Sequence, residues 1–315
     1  MNSRLGLTIT SKNLKKNSFY KELRYIFRAF FHYGRPFSYL SGRFLIRPKI
    51  RQAGPIGQRG QIDDRYSVHI LCSHQDLDML FWSLASWYKI VENSGQVFIH
   101  EDGSFSEEDR NLIAKLLPNA RLVDKKWAAS LAEQVWLKDL PNALKYRLDK
   151  RYVFAVKLMD ARFVSDAPAR LLLDTDILWF REPTELLQKL KSGKNPFFML
   201  GKTNLSFQFA DGGYLDEKLS AFNAGIIGYN AAHYPASDLE EFCKKMGPQS
   251  NPYFIEQSGH AWILSRHARI LPLDPARYII KGPVNSETVV RHYTGPRREL
   301  YWIEGVKILK DKILT

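Results

Sequence analysis

The segment Leu171-Leu172-Leu173-Asp174-Thr175-Asp176-Ile177-Leu178-Trp179-Phe180 places two carboxylates inside an apolar run. An apolar run of this kind is typical of an interior strand in a mostly parallel sheet. Ionised carboxylates are costly there unless a cation or hydrogen bonds compensate them. Because side chains alternate along a strand, Asp174 and Asp176 would point to the same side, where both could hold one hard metal ion. The segment therefore predicts a metal site, suited to a diphosphate ligand, at the carboxyl end of a strand.

A second Asp-x-Asp, at Asp76 and Asp78, shows that the spacing alone is weak support. It follows the apolar segment 68–72 and opens a helical pattern of apolar residues. Acidic residues in a first helical turn commonly complement the helix dipole. We therefore expect a helix start at 76–78. The 174/176 pair differs because apolar residues flank it on both sides.

The composition bounds the class of protein. A chain of 315 residues that is 45% hydrophobic can bury one large core or two modest ones. Cys72 and Cys243 are too few and too distant in sequence to suggest a disulfide framework. The first 18 residues lack the apolar region of a secretory signal, and the sequence has no apolar run of membrane-spanning length. We expect a cytoplasmic protein, either soluble or peripheral at the inner face of a membrane.

The positive charge is concentrated at the N-terminus. Residues 1–60 hold 13 Lys and Arg against the single acid Glu22, a net charge of +12 out of +13 for the whole chain. Within them, 18–33 has apolar residues at helical spacing with basic residues between them. Such a helix could bind an anionic membrane surface or pack on the domain with its charges in water. A transit peptide stays open, whereas nucleic-acid binding is disfavoured because no nucleic-acid fold motif accompanies the charge.

From residue 61 onward, strand and helix patterns alternate, which predicts one α/β domain over 61–315 with residues 1–60 as a basic extension. The predicted strands are 67–72, 96–100, 120–124, 169–174, 197–201, 222–229 and 268–272. The predicted helices are 77–92, 106–117, 126–138, 150–164, 183–192, 236–246 and 256–266. The chain has neither of the two common glycine-rich phosphate motifs, so a bound diphosphate would need a metal and basic side chains.

Three further segments carry candidate site residues, and each also has an ordinary structural explanation. His292 lies beside Gly295 and Arg298, where it could be a third metal ligand or a surface histidine in a basic loop. The segment 222–230 contains small residues that permit close approach of a ligand, or that form a bulge. Gln257 follows Glu256 at a helix start, where helix capping is a sufficient role.

Taken together and in this order, the segments resemble the metal-dependent GT-A glycosyltransferases. The likeness is greatest to glycosyltransferase family 8, which includes bacterial lipooligosaccharide galactosyltransferases and glycogenin. It runs from about Val68 to Trp302 and covers most of the domain. The matching motifs are Asp174-Thr175-Asp176, Asn223-Ala224-Gly225, Glu256-Gln257, His292 to Arg298, and a basic residue, Lys157, 17 positions before the first Asp.

The resemblance implies a GT-A fold, a mostly parallel sheet flanked by helices. It implies a hexosyltransferase that moves a sugar from a nucleotide diphosphate, most simply UDP, to an acceptor hydroxyl with retention. If the reaction instead inverts, a general base is needed, and Glu256 and Asp211 are the candidates. Mn²⁺ or Mg²⁺ would be the cofactor, and glycan, glycolipid or protein acceptors are all compatible. The implied metal ligands are Asp174, Asp176 and His292; the implied donor-binding residues are Lys157, Asp174, Asn223, Ala224, Gly225, Gly295 and Arg298; the implied catalytic residues are Gln257, Asp176 and Asn223.

The chain departs from the family pattern at three places. Ser73-His74 stand where acidic residues near the base are common, so the nucleotide is not fixed by the likeness. Arg298 replaces a Lys and Lys157 replaces an Arg, which alters the geometry available for phosphate or sugar contacts. The alternative function is a nucleotide-sugar-binding protein without turnover, held at a membrane surface.

Overall fold

The computed structural model describes residues 11–57, 59–201, 207–246 and 254–314. Residues 1–10 of the predicted basic extension lie outside the described part of the chain. The α-helices are α1 Ser11–Phe31, α2 Pro36–Leu40, α3 Leu77–Ile90, α4 Glu107–Leu116, α5 Lys125–Leu131, α6 Pro141–Leu148, α7 Ala155–Phe163, α8 Thr184–Ser192, α9 Ala236–Lys245, α10 Ile255–Ser265, α11 Arg298–Leu300 and α12 Val306–Ile313. The strands are β1 Tyr66–Cys72, β2 Gln96–Glu101, β3 Arg121–Val123, β4 Ala169–Leu173, β5 Ile177–Trp179, β6 Phe197–Leu200, β7 Phe222–Asn230, β8 Leu271–Pro272, β9 Tyr278–Ile279 and β10 Val290–His292.

The main sheet has seven strands in the order β3-β2-β1-β4-β7-β6-β8. Strands β3, β2, β1 and β4 run parallel to one another, and β6 is parallel to β8. Strand β7 is antiparallel to both β4 and β6. All seven predicted strands are present within a few residues, which confirms an α/β fold with a mostly parallel sheet flanked by helices.

Strand β4 is buried on both faces, as the apolar run that starts at Leu171 predicts. Leu171 and Leu173 join the core between the sheet, α3 and the C-terminal helices. Leu172 points the other way, into the core formed with α7, α9 and α10. The strand therefore holds the two apolar layers together, and its carboxyl end is fixed from both sides.

A small second sheet, in the order β5-β10-β9, was not predicted. Each of its strands is only two or three residues long. Strands this short lack enough alternating positions for a period to be recognised. The helices α2, α6, α11 and α12 were also not predicted.

The described residues 11–57 of the N-terminal segment include the helix α1, as the pattern over 18–33 predicts, and they pack against the domain. Ala29, Tyr39 and Ile50 are fully buried in the same core as β1 and α3. A Cβ added at Gly42 would lie 2.1 Å from the carbonyl oxygen of Trp302, so this position admits only glycine without movement of the backbone. Of the interpretations left open for this segment, the structure supports packing on the domain. The boundary at residue 60 stays a prediction.

Ion pairs reinforce that contact. Arg28 Nε lies 3.1 Å from Glu299 Oε1, and Arg51 Nε lies 2.6 Å from Asp78 Oδ1. Glu299 and Asp78 are buried, and Asp78 also pairs with Arg47, so these cations compensate carboxylates that would be costly inside the protein without them. None of the helices in the described ranges is long and apolar enough to cross a bilayer.

His260 on α10 is a buried titratable group of the second core. It is fully buried, with ring centroids of Tyr229 and Tyr234 at 6.1 and 5.5 Å, and neither ring nitrogen has a hydrogen-bond partner among the described residues. Burial, with a smaller effect of the Lys157 charge, lowers the pKa of His260 well below its ordinary value. The native protein therefore keeps this imidazole neutral under conditions in which the unfolded chain protonates it.

We predict that His260→Leu weakens the loss of stability in mild acid. The unfolded chain takes up a proton at His260 below about pH 6.5, whereas the native protein does not, so the wild type loses stability as the pH falls below that value. Removing one such histidine reduces the slope of the unfolding free energy by up to about 1.4 kcal/mol per pH unit. Urea titrations at several pH values measure this slope. The exposed His32→Leu is the control, and an unchanged slope in His260→Leu would contradict the prediction.

Candidate metal and donor site

The Asp-x-Asp pair lies in a turn between two sheets. Strand β4 ends at Leu173, and the amide of Asp174 donates to the carbonyl oxygen of Gly225 at 3.0 Å. The chain then turns through Thr175 and Asp176 into β5. The predicted reason for convergence, alternation along one strand, is therefore wrong; the two carboxylates converge because the backbone turns between them.

His292 reaches the pair from the second sheet. It ends β10, which runs antiparallel to β5 with His292 opposite Ile177. Its Nε2 lies 2.9 Å from Asp176 Oδ1 and 3.4 Å from Asp174 Oδ2. One ligand atom from each of Asp174, Asp176 and His292 lies within 4.8 Å of the others. The structure thus brings the three predicted metal ligands together.

The other ring nitrogen of His292 is fixed by β7. Its Nδ1 lies 3.0 Å from Asn223 Oδ1, and the same oxygen accepts the amide hydrogen of Gly225 at 3.0 Å. Because Oδ1 is an acceptor, the Nδ1–H of His292 must donate to it, which leaves Nε2 to face the carboxylates. A Cβ at Gly225 would lie 2.2 Å from His292 Nδ1, so a glycine is needed here for the ring to approach.

The charges of the triad are strongly coupled. Burial opposes ionisation of Asp176, but His292 and Arg298 lower the pKa of that carboxyl group below its ordinary value. Burial likewise opposes the charged form of His292, yet Asp176 and Asp174 raise the pKa of the imidazole. Two carboxylates and an imidazole nitrogen form a mixed oxygen and nitrogen donor set that fits a divalent cation, and Mn²⁺ somewhat better than Mg²⁺.

Lys157 is buried behind the first carboxylate. Its Nζ lies 2.8 Å from Asp174 Oδ1, 2.9 Å from Glu256 Oε1 and 3.1 Å from the carbonyl oxygen of Ala224. Burial would favour the neutral amine, but the two carboxylates raise the pKa of Lys157. Burial also raises the pKa of Glu256, against the opposing effect of Lys157. Lys157 therefore fixes Asp174 in place instead of lying free for a ligand.

Arg298 joins the two Asp-x-Asp pairs. Its Nε lies 3.0 Å from Asp176 Oδ2, and its Nη1 lies 3.0 Å from Asp76 Oδ1. The helix start predicted at 76–78 is correct, since α3 begins at Leu77, but Asp76 also borders the site. The sequence places Asp76 just after a predicted strand, and because β1 and β4 are parallel neighbours their carboxyl ends meet at one edge of the sheet. The pairing of Asp76 with Arg298 itself had no signal in the sequence.

The remaining predicted residues differ in how closely they are connected to the triad. Gln257 Oε1 accepts the amide hydrogen of Ala224 at 3.4 Å, while its buried Nε2 has no hydrogen-bond partner among the described residues. Gly295 lies exposed in the short turn before Arg298, where an added Cβ would meet no atom within 4 Å. Asp211, a candidate base for an inverting reaction, lies in an exposed turn 3.6 Å from Lys245 Nζ.

Comparisons with known proteins found similarity in structure only. No protein-family model and no curated sequence matches the chain. The chain is similar to mouse xyloside xylosyltransferase 1, at 11% identity over 74% of this chain and 98% of that chain, with a TM-score of 0.47. It is also similar to the galactosyltransferase LgtC, at 15% identity over 79% and 96% of the two chains, with a TM-score of 0.49. A third similar structure is the glycosyltransferase GlyE of Streptococcus pneumoniae, at 12% identity over 79% of this chain and 62% of that chain, with a TM-score of 0.46.

We predict that Asn223→Leu weakens Mn²⁺ binding about 10- to 100-fold, because the imidazole of His292 loses the acceptor that orients it. Asn223→Asp keeps an acceptor oxygen and should restore most of the affinity. Isothermal titration calorimetry with Mn²⁺ measures both effects. Asn230→Leu, at the other end of the same strand, is the control. Equal affinities of Asn223→Leu and the wild type would show that this hydrogen bond does not organise the site.

Proposed function

We propose that the protein is a glycosyltransferase that moves a hexose from a nucleotide diphosphate sugar, most simply a UDP-sugar, to an acceptor hydroxyl. The observation that carries the proposal is the convergence of Asp174, Asp176 and His292 within 4.8 Å at the end of β4. A diphosphate is the leaving group whose developing charge such a site can stabilise. The order of motifs along the chain and their likeness to glycosyltransferase family 8 support the same reaction.

A divalent ion held by Asp174, Asp176 and His292 would act as a Lewis acid on the diphosphate oxygens. Arg298 supports the same step from the protein side. Its Nε and Nη1 are used by Asp176 and Asp76, which fixes the plane of the guanidinium group and leaves Nη2 for a phosphate oxygen. Arg298 is thereby positioned before the donor binds, so little rotamer freedom is lost on binding.

Asn223 and Gln257 would orient the donor sugar. The unpartnered Nε2 of Gln257 is a buried hydrogen-bond donor, and a sugar hydroxyl or ring oxygen would satisfy it. Gly225 lets the backbone of β7 lie close to His292, because a Cβ there would meet the imidazole ring. Lys157 would act indirectly, because its ammonium group pairs with both Asp174 and Glu256 and holds the two carboxylates in place.

We propose retention of the anomeric configuration, by attack on the face from which the diphosphate leaves. A side-chain amide such as Gln257 is a poor nucleophile, and Glu256 is buried in an ion pair with Lys157. Neither residue is suited to be a covalent nucleophile or the base of an inverting reaction. Proton NMR of the product anomer tests this, and an inverted product would contradict it.

We propose glycan, glycolipid or protein hydroxyl groups as acceptors. We also propose that the protein works at the cytoplasmic face of a membrane, with residues 1–60 in contact with anionic lipid. The net charge of +12 in those residues supports the contact, since anionic membrane surfaces attract basic segments.

We predict that Asp176→Ala abolishes metal-dependent donor binding and leaves the fold intact. The variant loses a metal ligand and the carboxylate that holds both His292 and Arg298. Thermal shift with UDP, GDP, CMP and dTDP species, with and without Mn²⁺, measures binding, and release of the nucleotide measures turnover. Asp139→Ala, an exposed aspartate, is the control.

A donor shift in Asp176→Ala equal to that of the wild type would contradict the metal site. Metal-dependent binding by the wild type without transfer or donor hydrolysis would favour the non-catalytic sugar-nucleotide-binding protein instead.

A further inference from the structure

Exposed apolar side chains are concentrated in one part of the surface. Of 15 large apolar residues exposed in the described part of the chain, eight lie between residues 20 and 45. They are Tyr20, Leu23, Phe27, Phe30, Phe31, Phe37, Phe44 and Leu45. Single exposed apolar residues are common on soluble proteins, but a concentration of this kind marks an interaction surface.

Five of these residues lie on one side of α1. At about 100° per residue, Tyr20, Leu23, Phe27, Phe30 and Phe31 fall within an arc of about 100° around the helix axis. The ring centroids of Phe27 and Phe31 are 4.5 Å apart, and those of Phe30 and Phe31 are 6.4 Å apart. We call these five residues the docking face. The opposite side of α1 carries the buried Ala29, so the helix is apolar on both sides but only one side is covered.

The charges around the docking face indicate which kind of partner it binds. Arg24, Arg35 and Lys49 are exposed and form no ion pair with any residue that the structure describes. The one acid of residues 1–60, Glu22, is already bound by Arg43 at 2.7 Å and by Tyr39 at 2.5 Å. A second copy of the chain would bring the same positive charge to the contact and be repelled.

We propose that the docking face inserts into the headgroup region of an anionic lipid bilayer, with Arg24, Arg35 and Lys49 contacting the lipid phosphates. Aromatic and leucine side chains on one face of a helix, flanked by basic residues, are the combination that binds such interfaces. The helix is already folded against the domain, so binding does not have to order it. An ordered helix loses less conformational entropy on binding than a disordered basic tail would.

The position of α1 connects this surface to the donor site, and this step rests on the proposed function. Arg28 of α1 pairs with Glu299, and the preceding residue, Arg298, holds Asp176. Tyr25 of α1 is close enough to Arg298 and Asp76 for their charges to affect its pKa, which burial raises. A bilayer at the docking face would therefore lie across α1 from these contacts, one helix diameter or about 10 Å away, and hydroxyl groups anchored at the membrane surface would be concentrated near the donor site.

Co-sedimentation of the full-length protein with vesicles tests the proposal. The probes are vesicles of phosphatidylcholine alone and of phosphatidylcholine mixed with phosphatidylserine. The triple variant Phe27→Ser, Phe30→Ser and Phe31→Ser should bind the mixed vesicles at least about tenfold more weakly. The control removes three exposed apolar side chains elsewhere, with Trp127→Ser, Val135→Ser and Leu148→Ser, and should bind as the wild type does.

The charge contribution is tested separately. Arg24→Gln combined with Arg35→Gln should weaken binding to the mixed vesicles about 25-fold, since each basic residue near an anionic surface contributes about fivefold, and should have little effect on phosphatidylcholine vesicles. Equal vesicle binding by the triple serine variant and the wild type would overturn the proposal. So would a wild-type dimer that the triple variant dissociates while vesicle binding is unchanged, because the face would then bind a second copy.

Binding of UDP with Mn²⁺, measured on the same samples, separates this proposal from the proposed function. The triple serine variant should bind UDP and Mn²⁺ as the wild type does, because its substitutions lie on the uncovered side of α1. Vesicle binding without any metal-dependent nucleotide binding would end the glycosyltransferase proposal and leave the docking face standing. If the wild type binds nucleotide with Mn²⁺ but does not bind vesicles, the docking-face proposal fails and the glycosyltransferase proposal stands.

Discussion

The rest of the site depends on the need to neutralise two carboxylates at the end of a buried strand. Asp174 and Asp176 follow β4, which has apolar neighbours on both faces. Three cationic groups balance them: Lys157 from α7, His292 from β10 and Arg298 from the C-terminal segment. Each comes from a different part of the chain. The fold is therefore complete around the pair only when α7, the second sheet and the C-terminal segment are all in place.

This arrangement also explains how a charged site can be stable without a bound ligand. A buried carboxylate without a partner would destabilise the protein by several kcal/mol. Here the protein's own cations occupy the positions around the carboxylates, and a divalent ion would compete with the proton of His292 for the same nitrogen. Metal binding of this type releases protons and is therefore weaker in acid. The protein's own cations therefore hold the carboxylates in position, and a bound ligand would have to share the carboxylates with them.

Much of the fold could be predicted from the sequence because the main strands are long, apolar and separated by amphipathic helices. The Asp174, Asp176 and His292 set was also predictable, since motif order along the chain carries that information. Three features could not be predicted: the turn at Thr175, the short strands around His292 and the contact of Arg298 with Asp76. Strands of two or three residues have no recognisable period, and ion pairs between segments more than 200 residues apart leave no local signal. The burial of Tyr39 could not be predicted, because the positive charge of residues 1–60 is as compatible with an exposed extension as with a segment packed on the domain.

The packing of residues 28–42 against residues 299–307 has a consequence for synthesis on the ribosome. Gly42 lies against the backbone of Trp302, Ser38 Oγ lies 3.3 Å from Lys307 Nζ, and Arg28 pairs with Glu299. These partners are translated about 260 or more residues after the segment itself. The surface of this segment that contacts them therefore stays uncovered while the intervening chain is synthesised. During that interval the segment exposes both faces of α1, and a chaperone or a nearby membrane would be its first available partner.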